Sequence, residues 1–248
     1  MVGERSELDI GATEMGTAKF LGFGLRAQTV DDLERLARHE GVAVEDLQEP
    51  GGGKVVRLAD PDGYRLEIVA AQTKTEAAVL RPDPLRNTVA SRSRLRSSVR
   101  LEPSPSHVHR IGHAVLKVSD FRLSEKWYKE RFGFITSDEV EAAKDAPIGA
   151  FMRCDRGDKP ADHHTLFLAE LPGAPGLAHA AFEVANLDDL MLGHPYLQTR
   201  QRKAVWGVGR QIMGSQILTT GKTRLAMSSN IGPTAISSRA PMRHKKCR

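Results

Sequence analysis

The sequence predicts an α+β fold of repeated βαβββ modules, with the C-terminal module incomplete. Three observations predict it. The stretches 112–121 (GHAVLKVSDF) and 178–187 (AHAAFEVANL) share one pattern, H-A-x-apolar-charge-V-x-(D/N)-apolar. Each passes from a strand-like run into a helix-like one. A third stretch, 20–70, reads strand, helix, strand, strand, strand, with glycine and proline turns between.

In chain order, 20–25 is an apolar strand, and 30–39 (VDDLERLARH) is a helix with Val30, Leu33, Leu36 and Ala37 on one face. Short strands follow at 42–44, 54–58 and 64–70, separated by the Gly51-Gly52-Gly53 and Asp60-Pro61-Asp62-Gly63 turns. Residues 73–106 lack periodicity and hold four prolines and scattered arginines, the composition of a connector. The pattern restarts with a strand at 108–118 and a helix at 123–131 ending near Gly133. Strands are expected at 134–136, 148–154 and 165–168. A further copy opens with a strand at 176–184 and a helix from Leu187, which Pro195 should interrupt. The last expected strand is 214–217. The expected organisation is therefore a partial N-terminal domain (1–72), a connector (73–107), a C-terminal domain (108–217) and a tail (218–248).

At 248 residues and 40% hydrophobic, the chain can build a real core as one or two domains. No apolar run approaches the ~18 residues of a membrane span. The N-terminal MVGERSELDI lacks the apolar stretch of a signal peptide. Only Cys154 and Cys247 are present, too few for a disulfide framework. A cytoplasmic protein is expected. The net charge of +5 belongs to the tail, where 218–248 carry seven Lys/Arg and no Asp or Glu. Without those residues the chain has 29 basic against 31 acidic groups. Stacking aromatics and a nucleic-acid-binding motif are missing beside this basic tail, so neither nucleic acid nor membrane is expected as a partner.

His113 and His179 occupy the same place in the two matching strands. One histidine in a strand is usually a core or surface residue. The same imidazole placed twice by a repeat is a way to build a metal site from two modules. Two histidines and one carboxylate form the triad that holds non-haem Fe(II) with open positions. The carboxylate should lie further on, and the tail contains none. His163-His164 leads into the strand at 165–168, and His164 lies fifteen residues before His179. It is either a surface residue or a general acid/base, since imidazole titrates near neutrality. Gly207-Val208-Gly209-Arg210 lacks the G-x-G-x-x-G or P-loop context. Trp127-Tyr128 reads as core packing and Cys154 as a small buried residue. His107, His109 and His194 are given no functional role.

The segments IGHAVLKVSDF, WYKERFGF, IGAFMRCDRGD, DHHTLFLAELPG, LAHAAFEVANLDDL and WGVGRQIMGSQI resemble the type I extradiol ring-cleaving dioxygenases. These are the catechol 2,3-dioxygenase-like members of the vicinal oxygen chelate (glyoxalase/bleomycin resistance) superfamily. PGGGKVVRLADPDGYRLEIV resembles the end of that family's N-terminal, non-catalytic domain. The resemblance implies His113 and His179 as metal ligands and His164 as the acid/base. It implies Fe(II) as the cofactor, with Mn(II) as an alternative. The implied substrates are a small aromatic diol and O2, and intact members commonly form homo-oligomers.

Three departures stand out. The first module of the N-terminal domain is absent. The family's G-R-H segment reads Gly209-Arg210-Gln211, so a substrate-contacting histidine becomes Gln211. After Ile217 the family continues F-D-Y-W, a D-P-x-G turn and a strand bearing the Glu ligand, and here the chain reads Leu218-Thr219-Thr220-Gly221-Lys222. Residues 219–238 can be encoded by codons that, read one base earlier, spell D-Y-W-K-D-P-F-G-H-V-V-E-H-W-T-D-G-D-L-F. One base lost at the Leu218 codon would explain the tail, which is then expected to be out-of-frame and disordered. The lost Glu would overlap Ser229 and Asn230. The expected function is Fe(II)-dependent extradiol cleavage, impaired by the missing ligand. The alternatives are a non-catalytic remnant or ligand-binding protein of the same fold, and a glyoxalase-like lyase or isomerase.

Overall fold

Three βαβββ modules follow one another in the computed structural model, which describes residues 19–74, 85–223, 228–233, 237–238 and 245–247. The first module comprises β1 (Gly22–Arg26), α1 (Val30–Glu40), β2 (Glu45–Asp46), β3 (Lys54–Ala59) and β4 (Arg65–Ala70). The second comprises β5 (Val108–Lys117), α2 (Phe121–Phe132), β6 (Ile135–Ala143), β7 (Ala146–Arg153), the two-residue β8 (Ala161–Asp162) and β9 (Leu166–Ala169). The third comprises β10 (Gly176–Val184), α3 (Leu187–Thr199), β11 (Ala204–Arg210), β12 (Ile217–Lys222) and β13 (Ser228–Pro233). Two short strands remain, β14 (Ser237–Ser238), which pairs with β8, and β15 (Lys245–Cys247), which pairs with β6.

The helices start where the sequence supplies side-chain acceptors. Thr29 Oγ1 accepts from Asp32 N, and Asp32 Oδ2 accepts from Thr29 N, closing a capping box on α1. Asp120 and Asn186 accept the corresponding N–H groups of α2 and α3. Gly133 ends α2 with φ +66, a conformation that costs glycine nothing.

The first module forms its own sheet in the order β1-β4-β3-β2. The other two share a nine-stranded sheet, β11-β12-β13-β10-β5-β9-β7-β6-β15. All three modules therefore repeat one arrangement, with the first strand beside the last. Those pairs, β1–β4, β5–β9 and β10–β13, are parallel. Modules two and three are joined by the antiparallel β5–β10 pair.

Modules one and two share one core, with Phe23, Leu33 and Leu66 packed in the same cluster as Leu116, Tyr128 and Phe132. A buried polar contact ties them together. Tyr128 Oη donates to Asp60 Oδ2 at 2.9 Å, and Asp60 Oδ1 accepts from Tyr64 N at 2.8 Å and Asp62 N at 3.0 Å. Burial pushes the Asp60 carboxyl up, and the N–H of Tyr64 and the Tyr128 hydroxyl oppose that shift. Tyr64 Oη also donates to Pro175 O at 2.7 Å. The described part of the connector, 85–107, runs over the surface and is held to α3 where His107 N donates to Asp189 Oδ2.

Several elements differ from the expectation. The strand foreseen at 42–44 falls at Glu45–Asp46. Pro195 lies inside α3 without ending it. The carbonyl of Met191 loses its i+4 donor, but Met191 is 52% exposed, so water can replace the bond. Residues 212–214 form a turn, 215–216 are irregular, and the strand begins at Ile217 and runs to Lys222. The third module is not incomplete in its backbone, because β12 and β13 complete it. Main-chain groups carry that pairing, and β13 occupies the edge of β10 without needing an apolar pattern. The rest of the expected tail falls partly outside the described residues.

Replacing Tyr128 by Phe should leave the buried Asp60 without its hydroxyl donor and lower stability by about 1.5–3 kcal/mol. Urea denaturation of the two chains checks this, and an unchanged midpoint would show that the contact does not hold the modules together.

Candidate functional site

β5 and β10 carry the two predicted histidines to the centre of the large sheet. His113 is paired with Ala181, and His179 is two residues from Ala181 on the same strand. The pleat puts residues two apart on one face, so both imidazoles project from the same side. Their Nε2 atoms lie 3.4 Å apart. His164 precedes β9, the other neighbour of β5, and its ring centroid lies 4.1 Å from that of His113. The three residues singled out from the sequence thus meet.

The cluster is dry. His113 and His164 are each 2% exposed. Burial pushes His113 well below its ordinary value near 6.5, with His164 and His179 next in effect. Burial, then the nearby His163 and His179, takes His164 down to about 3. Burial alone takes His179 to about 4. All three rings are neutral at pH 7, the state in which imidazole can ligate a metal.

Other residues shape the site. The Phe151 ring on β7 lies 4.9 Å from His164 and stacks on Phe167 at 4.0 Å. That stack requires β7 and β9 to approach closely. A Cβ at Gly149 would come within 2.7 Å of Leu168 O, so only glycine fits there. Gly214 lies beside the Cε1 of His164 and the side chain of the buried Gln216. Gln211 donates its backbone N–H to Gln216 O at 2.8 Å. No hydrogen bond links its side chain to the three histidines among the described residues. Phe151 and Gln216 carried no signal in the sequence beyond an apolar strand and a loop glutamine.

The remaining candidates are structural. Tyr128 is fully buried in the core with Trp127 against it. The buried Cys154 thiol lies 3.3 Å from Thr165 Oγ1, and burial pushes its pKa up. His107 pairs with Asp189, and His194 contacts Thr219 Oγ1 at 2.9 Å. Residues 207–210 lie within β11. A separate groove lies between α3 and β12, lined by His194, Leu197, Thr219 and Ile231, and none of the three clustered histidines lines it.

Two nitrogens 3.4 Å apart can share one ion at metal–nitrogen distances of about 2.0–2.1 Å. Among the described residues no group of three His, Cys, Asp or Glu is arranged to hold a metal. The donors present therefore supply two imidazoles and do not fit a three-ligand centre.

Residues 110–219, which carry the two matching strands and their histidines, match the family model of the Glyoxalase/Bleomycin resistance protein/Dioxygenase superfamily. The chain is 26% identical over 185 residues to Metapyrocatechase 2 of Cupriavidus necator, across 73% of this chain and 53% of that protein. It thus spans about half the length of that curated relative. The fold is similar to that of the 2,3-dioxygenase LapB from Pseudomonas sp. KL28, with a TM-score of 0.71 and 15% identity over 93% of this chain and 77% of that one. It is also similar to the Mn(II)-bound glyoxalase from Novosphingobium aromaticivorans, with a TM-score of 0.68 and 22% identity over 92% and 67% of the two chains. No described helix is long and apolar enough to cross a membrane.

The unfolded chain binds more protons than the folded one between about pH 4 and pH 6.5, because its histidines titrate normally. Stability of the metal-free chain should therefore be level above pH 6.5 and fall as pH drops toward 4. Thermal unfolding across that range checks it. His164→Gln should flatten the slope, and an identical slope in the variant would contradict the assignment.

Proposed function

We propose that this chain is built as an Fe(II)-dependent extradiol dioxygenase acting with O2 on a catechol-type aromatic diol, and that it is impaired as written because the carboxylate ligand is missing. The convergence of His113 and His179 beside a third buried histidine carries this reading. The similarity to Metapyrocatechase 2 and to LapB supports the reaction class. Mn(II) is an alternative to Fe(II). A cytoplasmic location and a homo-oligomeric assembly belong to the same reading, which includes no nucleic-acid or membrane partner.

His113 and His179 would hold a divalent ion, which when bound would supply Lewis-acid chemistry toward the diol. This chain's residues would supply the surroundings. His113 and His179 offer neutral nitrogens. The buried rings exclude water. Negative charge that develops on a diol oxygen as its O–H proton leaves lies beside His164 and raises the affinity of that imidazole for the same proton. His164 then takes the proton from the diol oxygen. Gln211, where the family has a histidine, could donate to substrate but could not titrate.

Loss of a partner outside the ligand set costs roughly 10–100-fold in metal affinity, and loss of a ligand costs at least as much. The alternative of a non-catalytic ligand-binding remnant is favoured by the same missing donor. The glyoxalase-like alternative rests on fold similarity alone.

The backbone of β13 indicates where a carboxylate would restore the set. Residue 230 pairs with Ala181, which pairs in turn with His113. Asn230→Glu should raise Fe(II) affinity at least about 10–100-fold and turn oxygenated catechol yellow. The unaltered chain should bind iron weakly and cleave little. Full iron occupancy and rapid cleavage by the unaltered chain would refute the impairment. Failure of both folded chains to cleave any catechol under excess Fe(II) would refute the dioxygenase reading.

A further inference from the structure

Behind His164 lies a buried polar chain that the two-histidine cluster does not need. His163 Nδ1 lies 3.0 Å from His164 Nδ1. On its other side, His163 Nε2 lies 2.8 Å from Asp138 Oδ2. His163 is 4% exposed. Its backbone is fixed as well. Ser137 Oγ donates to His163 O at 2.6 Å, and Arg153 Nη1 donates to Ser137 Oγ at 3.0 Å and to Thr136 O at 3.3 Å. The Phe151 ring packs on both imidazoles.

These contacts dictate proton positions. An ionised carboxylate only accepts, so His163 carries its proton on Nε2. At a pH where His163 is neutral it has one N–H, which leaves its Nδ1 with a lone pair. The 3.0 Å contact then requires His164 Nδ1 to be the donor. The proton of His164 lies on Nδ1, and Nε2, across the ring from His163, keeps its lone pair.

We propose that Asp138 and His163 are positioning residues that hold His164 in its Nδ1–H tautomer, so that Nε2 is the nitrogen able to accept a proton. When His164 accepts one, an O–H bond of the substrate breaks and an Nε2–H bond forms. The resulting imidazolium already donates through Nδ1 to His163, which stabilises the new charge. A carboxylate that orients an imidazole through a hydrogen bond does the same in serine hydrolases, with one ring in place of two. Only the catalytic consequence rests on the function proposed above, because the tautomer exists without metal or diol.

The test is two-bond 1H–15N correlation NMR of the metal-free, full-length chain labelled with 15N-histidine. His164 should show a protonated Nδ1 and an unprotonated Nε2, and His163 the reverse. Asp138→Ala removes the acceptor that fixes His163, so His164 should become a mixture, with both nitrogens at intermediate shifts. A proton on His164 Nε2 in the unaltered chain would overturn the inference without any substitution. So would a His164 tautomer that Asp138→Ala leaves unmoved. The predicted tautomer in a chain that never cleaves catechol would support this inference while the dioxygenase reading fails.

Discussion

The antiparallel pairing of β5 with β10 is the constraint on which the rest of the structure depends. It joins two copies of one module through their first strands. The centre of the pairing sets Ala114 opposite its own counterpart Ala180, so positions next to that centre are brought near their counterparts. His113 and His179 meet for that reason alone, although 66 residues separate them. The parallel partners complete the arrangement. β9 delivers His164 on one side of the join, and β13 covers β10 on the other. The first module repeats the same strand order and contributes apolar surface and the buried Asp60–Tyr128 contact.

Burial sets the chemistry of the cluster. Three closely packed, largely buried imidazoles cannot all be charged; desolvation, joined by repulsion at His113 and His164, holds them neutral. Neutral rings suit metal ligation. They are poor proton acceptors at neutral pH until negative charge arrives beside them. Asp138 does not touch the two convergent histidines, and its influence reaches His164 only through His163. The chain thus holds a largely buried Asp138–His163–His164 contact chain while lacking, among its described residues, a third metal donor.

Much of this was legible in the sequence. The internal repeat marked both central strands and both histidines, because a shared pattern of alternation plus one polar residue is unlikely to arise from packing alone. The caps at Thr29, Asp120 and Asn186 and the stop at Gly133 follow from local chemistry, so helix positions were close. What remained hidden depends on distant partners. Asp138 and Ser137 look like surface residues of a strand until β6 brings them under His163. Asp60 looks like a turn residue until Tyr128 reaches it. Pro195 suggests a helix end, and the exposure of Met191 removes the penalty. β12 and β13 escaped notice because main-chain pairing, rather than apolar alternation, carries them.

The most direct test of the account is the contact across the join. In the metal-free chain, nuclear Overhauser spectra of isotope-labelled histidine should show a cross-peak between ring protons of His113 and His179, since their Nε2 atoms lie 3.4 Å apart. A clear cross-peak is the predicted result. Its absence, with both rings assigned and the chain folded, would contradict the claim that pairing β5 with β10 builds the site.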